Sequence, residues 1–245
     1  KRVVTTTAVH PEYRQILATY FVNHDTELHT VVASEGTTPV EAVAAAVDAK
    51  TACVLVQHPN FFGCLEEVEA LAEAAHKAGA LLIVAVNPIS LGLLKRPGDY
   101  GADIVVAEGQ PLGNALNYGG PYLGIMACGE KFVRQMPGRL VGQTVDRRGN
   151  TCWALTLQTR EQHIRREKAT SNICTNQGLM ALAACVYMSA MGKHGLRRAA
   201  ELCYHKAHYA ARQIDALEGY SVDMSKPFFK EFVVTCPEPV AAIND

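Results

Sequence analysis

Short apolar runs alternate with helical patterns along the first half of the chain, and this alternation restricts the fold more than any other feature. Three runs, Cys53–Gln57, Leu81–Val86 and Ile104–Ala107, have the length of buried strands and are rich in Val, Ile and Leu. Between the first two lies the amphipathic stretch Leu65–Ala78, which has helical periodicity and is followed by Gly79 as a stop signal. Strands that alternate with helices in this way form a parallel sheet with helices on both faces. We therefore predict an α/β fold with a mostly parallel sheet.

Weaker signals of the same kind precede and follow this segment. The remaining predicted elements are strands at 2–8, 28–32 and 122–127, helices at 10–20 and 37–49, and a β-hairpin at 140–159 that turns at 147–150. We also predict two long helices, from about Asn172 to Met191 and from Leu196 to Leu217. The first has apolar residues at helical spacing, so we expect it to be largely buried and Leu182→Asp to cost several kcal/mol.

The sequence predicts one large domain and the beginning of a second. Residues 1–192 contain the sheet elements, and residues 193–245 contain a linking helix and a strand that starts at Phe232. We expect the second part to be a truncated, smaller α+β domain, because few residues follow Phe232. The chain starts without Met and directly in a strand pattern, so we expect the large domain to lack its amino-terminal part.

Composition excludes several classes of protein. A chain of 245 residues, 49% of them apolar, can form a sizeable core. No run approaches the ~20 apolar residues that a membrane span needs, so we expect no membrane segment. The eight cysteines lack CxxC spacing, which predicts reduced thiols, mostly in the core, and a cytoplasmic protein. His205 and His208 share a helix face without a third ligand, so we predict a solvated face and no metal.

The formal net charge of −1 hides a basic segment. Nine Lys or Arg stand against three acids between Lys131 and Lys168, a net charge of +6. Nucleic-acid stacking surfaces need interleaved aromatic residues, and only Phe132 and Trp153 lie in this segment. An acidic protein or an anionic ligand is therefore the better expectation, and we predict no nucleic-acid partner.

Residues 160–177 join a group of cations to a cluster of helix-capping residues. Thr170, Ser171 or Asn172 can each accept a backbone N–H at the start of the helix that follows. Free N–H groups and the positive end of the helix dipole then favour a phosphate or a carboxylate. On these residues alone, anion binding and simple capping are equally supported. The basic residues of this segment are Arg160, His163, Arg165, Arg166 and Lys168.

The loop His58–Gly63 follows the strand Cys53–Gln57 and combines polar with aromatic residues. Loops at strand ends often carry function. Lining of a cleft and formation of a simple turn are equally supported.

Two longer motifs carry a family resemblance. The runs TREQHIRREKATSNICTNQ, at 159–177, and MPGRLVGQTVD, at 136–146, resemble the amino-terminal half of the glycine decarboxylase P-protein. That protein is the pyridoxal-phosphate component of the glycine cleavage system, and within the family the resemblance is to the shorter first subunit of the split bacterial form. It extends from about Arg2 to Val234 and implies a pyridoxal-phosphate-dependent transferase-like fold of type I.

In the fold that this resemblance implies, ligands lie beyond the carboxyl ends of the strands. The position after Leu81–Val86 usually carries an aspartate that keeps the pyridine nitrogen protonated. The position after Ile104–Ala107 carries the lysine that forms the Schiff base. This chain has Asn87 and Gln110 there, and amides supply neither function. We therefore expect no catalytic residue on this chain, with both amides as remnants of a cofactor site.

The resemblance also implies partners. The chain would be the non-lysine subunit of a heterotetrameric glycine dehydrogenase, inactive alone, whose lysine-bearing second subunit holds pyridoxal phosphate. The complex would decarboxylate glycine and transfer the aminomethyl group to the lipoyl arm of the acidic H-protein. The cations of residues 160–168 would lie at the subunit interface, where the cofactor would be reached by Thr170, Ser171, Asn172 and Thr175.

Two alternatives to this heteromer stay open. The first is a self-sufficient pyridoxal-phosphate enzyme that uses an unrecognised lysine. The second is a scaffold that only stabilises its partner.

Overall fold

A six-stranded, mostly parallel sheet forms the centre of the fold. The computed structural model describes residues 1–158, 161–169 and 177–244. Among these residues the strand order is β2-β1-β3-β4-β5-β6, and each pairing from β2 to β5 is parallel. The predicted α/β class is therefore confirmed. The strands are β1 Arg2–Thr6, β2 Glu27–Val31, β3 Thr51–His58, β4 Leu81–Val86, β5 Ile104–Glu108 and β6 Gly124–Cys128.

Helices follow the first three strands, as the sequence predicts. The last of them packs its apolar face on the sheet, where Val68, Leu71 and Ala75 are buried together with strand residues such as Val54 and Leu82. This cluster is the main core of the protein. The helices are α1 Pro11–Phe21, α2 Val40–Ala46 and α3 Val68–Lys77.

One long helix, α5 Gly178–Asp215, replaces the two predicted helices. Its backbone is non-helical at Gly192, with φ 61° and ψ −177°, so the predicted break is real. The predicted start near Asn172 is wrong, because Gln177 lies outside the helix. The expected cap from Thr170, Ser171 or Asn172 belongs to that earlier start, and these three residues lie outside the described part of the chain.

The predicted burial of the first part of α5 is also wrong. Leu179, Leu182 and Val186 are 69%, 59% and 60% exposed. The helix packs instead through its small residues, because Ala184 and Ala200 are buried against Ile89, Leu112 and Phe229. Short side chains allow close packing, and the larger ones on the other face stay in solvent.

A separate small cluster surrounds the second half of α5. Ala211, Val222 and Phe228 are buried there, and His208 stacks on Phe228 with ring centroids 3.9 Å apart. The expected solvated face is therefore correct for His205, which is exposed, but not for His208, whose half-buried ring packs on Phe228. A division into domains at Gly192 stays a prediction. The last elements are β9 Ser221–Val222, β10 Val234–Thr235, which is antiparallel to β9, and α6 Val240–Asn244.

The chain divides into two compact units, one of residues 1–127 with 180–245 and the other of residues 128–179. The second unit contains the predicted hairpin, in which Gln143 pairs with Trp153. Both strands are largely exposed, including the Trp153 side chain at 67%. Its elements are β7 Leu140–Val145, β8 Thr151–Thr156 and α4 Gln162–Arg165.

Two expectations from composition can be compared with the structure. The described cysteines are free thiols, but none of them is fully buried, so their expected place in the core is wrong. Cys185 is exposed and the others are half-buried. Within the described ranges, no helix combines the length and the apolar character that crossing a membrane would need.

Candidate functional site

A cleft of about 670 Å³ lies beyond the carboxyl ends of β3, β4 and β5. Ligands of open parallel sheets bind at this edge, which makes the cleft the first candidate site. Both strand-end amides, Asn87 and Gln110, line it. Pro59, Phe61 and Gly63 line it as well, so the loop after β3 forms a wall of a cleft.

The Asn87 side chain is occupied by the backbone that follows it. Its Oδ1 accepts a hydrogen bond from the N–H of Ile89 at 3.0 Å, and its carbonyl accepts one from Ser90 Oγ at 2.7 Å. Pro88 then occupies the first position of a short 3-10 turn. Asn87 therefore acts as a cap, and its amide cannot supply the charge that a protonated pyridine needs.

Gln110 is held in a similar way by its own loop. Its Nε2 donates to the carbonyl of Asn114 at 2.6 Å, and its backbone N–H donates to Glu108 Oε1 at 2.9 Å. The preceding Gly109 is packed against β6, and a Cβ there would lie 2.9 Å from Leu123 Cδ2 and 3.0 Å from its carbonyl oxygen. The loop at 109–113 itself carries no primary amine.

Like Glu231, Glu108 is an acidic residue of the cleft lining. Its Oε1 accepts from the N–H groups of Gln110 and Leu123, both at 2.9 Å, which fixes the side chain at the end of β5. Burial raises the pKa of the Tyr13 phenol, and the negative charge of Glu108 raises it further. The second oxygen, Oε2, has no hydrogen-bond partner within the described part of the chain.

His10 and the start of α1 form another wall. The backbone N–H of His10 donates to Gln57 Oε1 at 2.9 Å, and its Nδ1 accepts from the N–H of Glu12 at 3.2 Å. With Nδ1 as the acceptor, the proton of the neutral ring is on Nε2. The ring centroid lies 5.0 Å from that of Tyr13 and 4.9 Å from that of Phe61.

A segment after β9 closes the cleft at Gly63. The N–H of Phe229 donates to the Gly63 carbonyl at 3.2 Å, and the Gly63 backbone has a φ of +88°. A Cβ at this position would lie 1.8 Å from the carbonyl oxygen of Glu231, so only glycine fits. This close approach brings Lys230 and Glu231 to the cleft lining.

A buried glutamate holds the loop that carries Phe61. Glu66 accepts hydrogen bonds from Thr38 N, Thr38 Oγ1 and Asn60 Nδ2, at 2.9, 2.9 and 2.8 Å. Asn60 Oδ1 in turn accepts from the N–H groups of Phe62 and Cys64. Burial raises the pKa of Glu66, while the three donors act in the opposite direction. The network joins three loops below the cleft and thereby fixes its wall.

The structure places the described part of the basic segment in the second unit. His163 and Arg165 lie on α4, Arg166 and Lys168 lie in the turn that follows, and all four are exposed. Arg166 has a positive φ of 53°. The other expected residues lie outside the described part, namely Arg160, Thr170, Ser171, Asn172 and Thr175.

Several residues of the cleft were missed at the level of sequence. His10 and Glu108 each follow or end a strand, so the strand-end rule that selected Asn87 would have found them as well. Lys230 had no such signal, because its segment reaches the cleft through the Gly63 contact. It is the only lysine in the cleft lining among the described residues.

The residues at the two strand ends do not fit a covalently held pyridoxal phosphate. Gln110 stands where the resemblance implies the lysine, and its amide is bonded to Asn114; Asn87 stands where it implies the carboxylate, and it caps a turn. The overall geometry is nevertheless that of the enzymes that use this cofactor. The fold and the strand-end cleft define a protein of the pyridoxal-phosphate-dependent type I class.

Comparison with solved structures supports this class. The fold matches a crystal structure of glycine decarboxylase, the P-protein of the glycine cleavage system, in inhibitor-bound form. The TM-score is 0.93 at 44% identity, covering 99% of this chain and 55% of that chain. A sphingosine-1-phosphate lyase from Burkholderia pseudomallei shares the fold alone, with a TM-score of 0.62 at 17% identity over 93% of this chain and 49% of that chain.

The family follows from sequence. The profile of the glycine cleavage system P-protein matches residues 1–244, and the chain belongs to that family. It is 53% identical to a probable glycine dehydrogenase (decarboxylating) subunit 1 of Desulforamulus reducens, over 99% of this chain and 54% of the relative. The relative of the same description in Prosthecochloris aestuarii is 55% identical, over 96% of this chain and 53% of the relative. The chain therefore spans about half the length of these relatives.

Proposed function

We propose that this chain contributes the non-lysine subunit of a two-subunit glycine dehydrogenase (decarboxylating). The observation that carries the proposal is the amide of Gln110, which is bonded into its own loop where the resemblance implies a lysine. A subunit with this cleft needs a second, lysine-bearing subunit for the chemistry. The subunit 1 description of the curated relatives supports that arrangement.

In this proposal the partner subunit binds pyridoxal phosphate, which supplies the electron sink for loss of the glycine carboxyl group. The complex then transfers the aminomethyl group to the lipoyl arm of the H-protein, in the cytoplasm. This chain contributes an interface. The basic residues His163, Arg165, Arg166 and Lys168 are all exposed, and their positive charge suits an anion or an acidic partner.

The test is reconstitution with the second subunit of the same organism. We expect exchange of labelled CO2 with the glycine carboxyl group only when both chains are present. After borohydride reduction, the pyridoxyl mass addition should be found on the partner chain alone. A pyridoxylated lysine on this chain, or exchange by this chain alone, would contradict the proposal.

A second candidate is a self-sufficient pyridoxal-phosphate enzyme, and the position of Lys230 is the observation that favours it. Lys230 belongs to the cleft lining, which it joins through the segment that packs on Gly63. The same borohydride experiment separates the two functions, because this candidate requires the modification at Lys230. Lys230→Met would then abolish the modification, and Lys226→Met, close in sequence but outside the lining, would serve as the matched control.

The scaffold alternative differs in what the basic segment does. If this chain only stabilises its partner, replacing Arg160, His163 and Thr175 singly by Ala should leave the exchange activity of the complex intact. If the segment serves the reaction, these changes lower activity while the complex still assembles. Assembly is measured by size-exclusion chromatography of the same samples.

A further inference from the structure

The cleft at the strand ends combines a fixed carboxylate with aromatic walls, although its lysine position is lost. Glu108 Oε1 accepts two backbone N–H groups, and Oε2 has no hydrogen-bond partner among the described residues. The carboxylate is therefore positioned before any ligand arrives. A preorganised acceptor of this kind is suited to a charge-assisted hydrogen bond.

The rings around the cleft suit a cation as well. His10, Tyr13 and Phe61 form one continuous aromatic wall with centroid distances near 5 Å, and Phe229 and Phe232 also line the cleft. Aromatic faces attract ammonium groups, and the attraction grows when water is excluded. The Tyr13 phenol is close enough to Glu108 for the carboxylate charge to raise its pKa, beside the larger effect of burial.

The net charge of the lining points in the same direction. The acidic and basic residues of the lining are Glu108, Glu231 and Lys230, which together sum to one net negative charge. The nearby amides of Asn87 and Gln110 are already bonded to their own loops and add no charge.

We propose that this cleft is a binding site for a small organic molecule that carries a primary ammonium group, with the ammonium on Glu108 and the organic body against the aromatic wall. The site gives this chain a ligand of its own, separate from the cofactor that the proposed function assigns to the partner subunit. The inference does not rest on that function, because it concerns the chain without partner or cofactor.

The test is calorimetric titration of the 245-residue chain with benzylammonium and with benzyl alcohol, its neutral analogue of similar shape. We expect benzylammonium to bind about tenfold more tightly, the difference that one charge-assisted hydrogen bond supplies. Glu108→Gln keeps an acceptor for the two backbone N–H groups and should bring the two affinities together. Glu73→Gln, an exposed carboxylate on α3, is the matched control and should preserve the difference.

A second variant keeps the test decisive if Glu108→Gln unfolds. Lys230→Met removes a like charge from the lining and should strengthen benzylammonium binding several-fold, with no gain for benzyl alcohol. Equal affinities of the two probes for the unmodified chain, absence of saturable binding, or an unchanged preference in Glu108→Gln would overturn the proposal. Loss of glycine exchange in the reconstituted complex would not overturn this proposal, so it and the proposed function can fail separately.

Discussion

Helix α3 and the first part of α5 have similar apolar patterns and opposite surroundings. In α3, Val68, Leu71 and Ala75 are buried against the sheet. In α5, Leu182 and Val186 occupy the same kind of spacing and are 59% and 60% exposed. The pattern thus identifies an apolar face in both helices, but it does not say whether this chain supplies the surface that covers the face.

The difference is explained by what each helix packs with. α3 meets the sheet through Val68 and Leu71 as well as two alanines, whereas the buried residues of α5 in its largest contact are Ala184 and Ala200 alone. A small-residue face brings backbones close together and buries less apolar area for each residue. The larger side chains of α5 consequently contribute little to the stability of this chain.

The largest effect that this comparison predicts is at Leu71. Leu71→Ala removes a fully buried side chain from the main core and should lower the free energy of unfolding by about 2–5 kcal/mol. The matched control is Leu182→Ala, which makes the same chemical change on the exposed helix. Urea denaturation of both variants checks the contrast, and equal losses would remove the distinction between the helices.

A smaller loss is expected at the buried Glu66. In Glu66→Gln the new NH2 group must face the donors of Thr38 or Asn60 in either orientation, so we expect a cost of about 1–3 kcal/mol. Glu69→Gln is the control, because Glu69 forms an exposed ion pair with Lys95 and should cost less than about 1 kcal/mol. Urea denaturation at pH 7 measures both. A neutral result for Glu66→Gln would mean that the loops below the cleft do not depend on this network.

The exposed residues Arg165 and Arg166 should affect assembly of the complex rather than the stability of this chain. Replacing Arg165 and Arg166 together by Ala should weaken assembly or H-protein binding by about fivefold to tenfold at low salt and less at high salt. Thr175→Val should instead lower turnover with little salt dependence, because the proposed role of its hydroxyl is a short-range hydrogen bond near the cofactor. Glycine-dependent CO2 release against ionic strength in the reconstituted complex measures both.

The control for the Arg165 and Arg166 pair is Arg96→Ala. Arg96 is exposed, and both it and its ion-pair partner Asp99 lie in the unit of residues 1–127 with 180–245. It should leave assembly unchanged at every salt concentration. Identical salt responses of the Arg165/Arg166 variant and of Thr175→Val would mean that the segment acts as one structural block.

The smallest effect on stability is expected at the exposed face of α5. Leu182→Asp should change the free energy of unfolding of this chain by no more than about 0.5 kcal/mol, since the side chain is in solvent. This reverses the expectation from the sequence pattern. Thermal and urea melts of the purified chain decide the point, and a loss of several kcal/mol would restore the buried assignment.

The sheet could be predicted from sequence because its signal is local. β4 matches its predicted bounds, and β3 and β5 match within a few residues, since buried parallel strands appear as continuous apolar runs. The hairpin was predictable for the same reason, from its turn residues. The start of α5 was not predictable, because the helical pattern of the sequence continues through residues that precede Gln177.

The cleft was predictable only in part. Asn87 and Gln110 follow directly from strand ends, and so would Glu108. Lys230 and Glu231 enter the lining through a contact between residues about 170 positions apart, which no local pattern encodes. The roles of Arg160, His163 and Thr175 stay predictions.

The contact of Gly109 with Leu123, the residue before β6, limits what the end of β5 can accept. Gln110 lines the cleft, so a Gln110→Lys change can place an amine at the strand end. The residue before it must remain without a side chain, because a Cβ would meet Leu123 at 2.9 Å. A larger residue at 109 therefore requires a smaller one at 123, and the start of β6 would lose packing in exchange. Two neighbouring positions of one loop thus differ in how freely they can change.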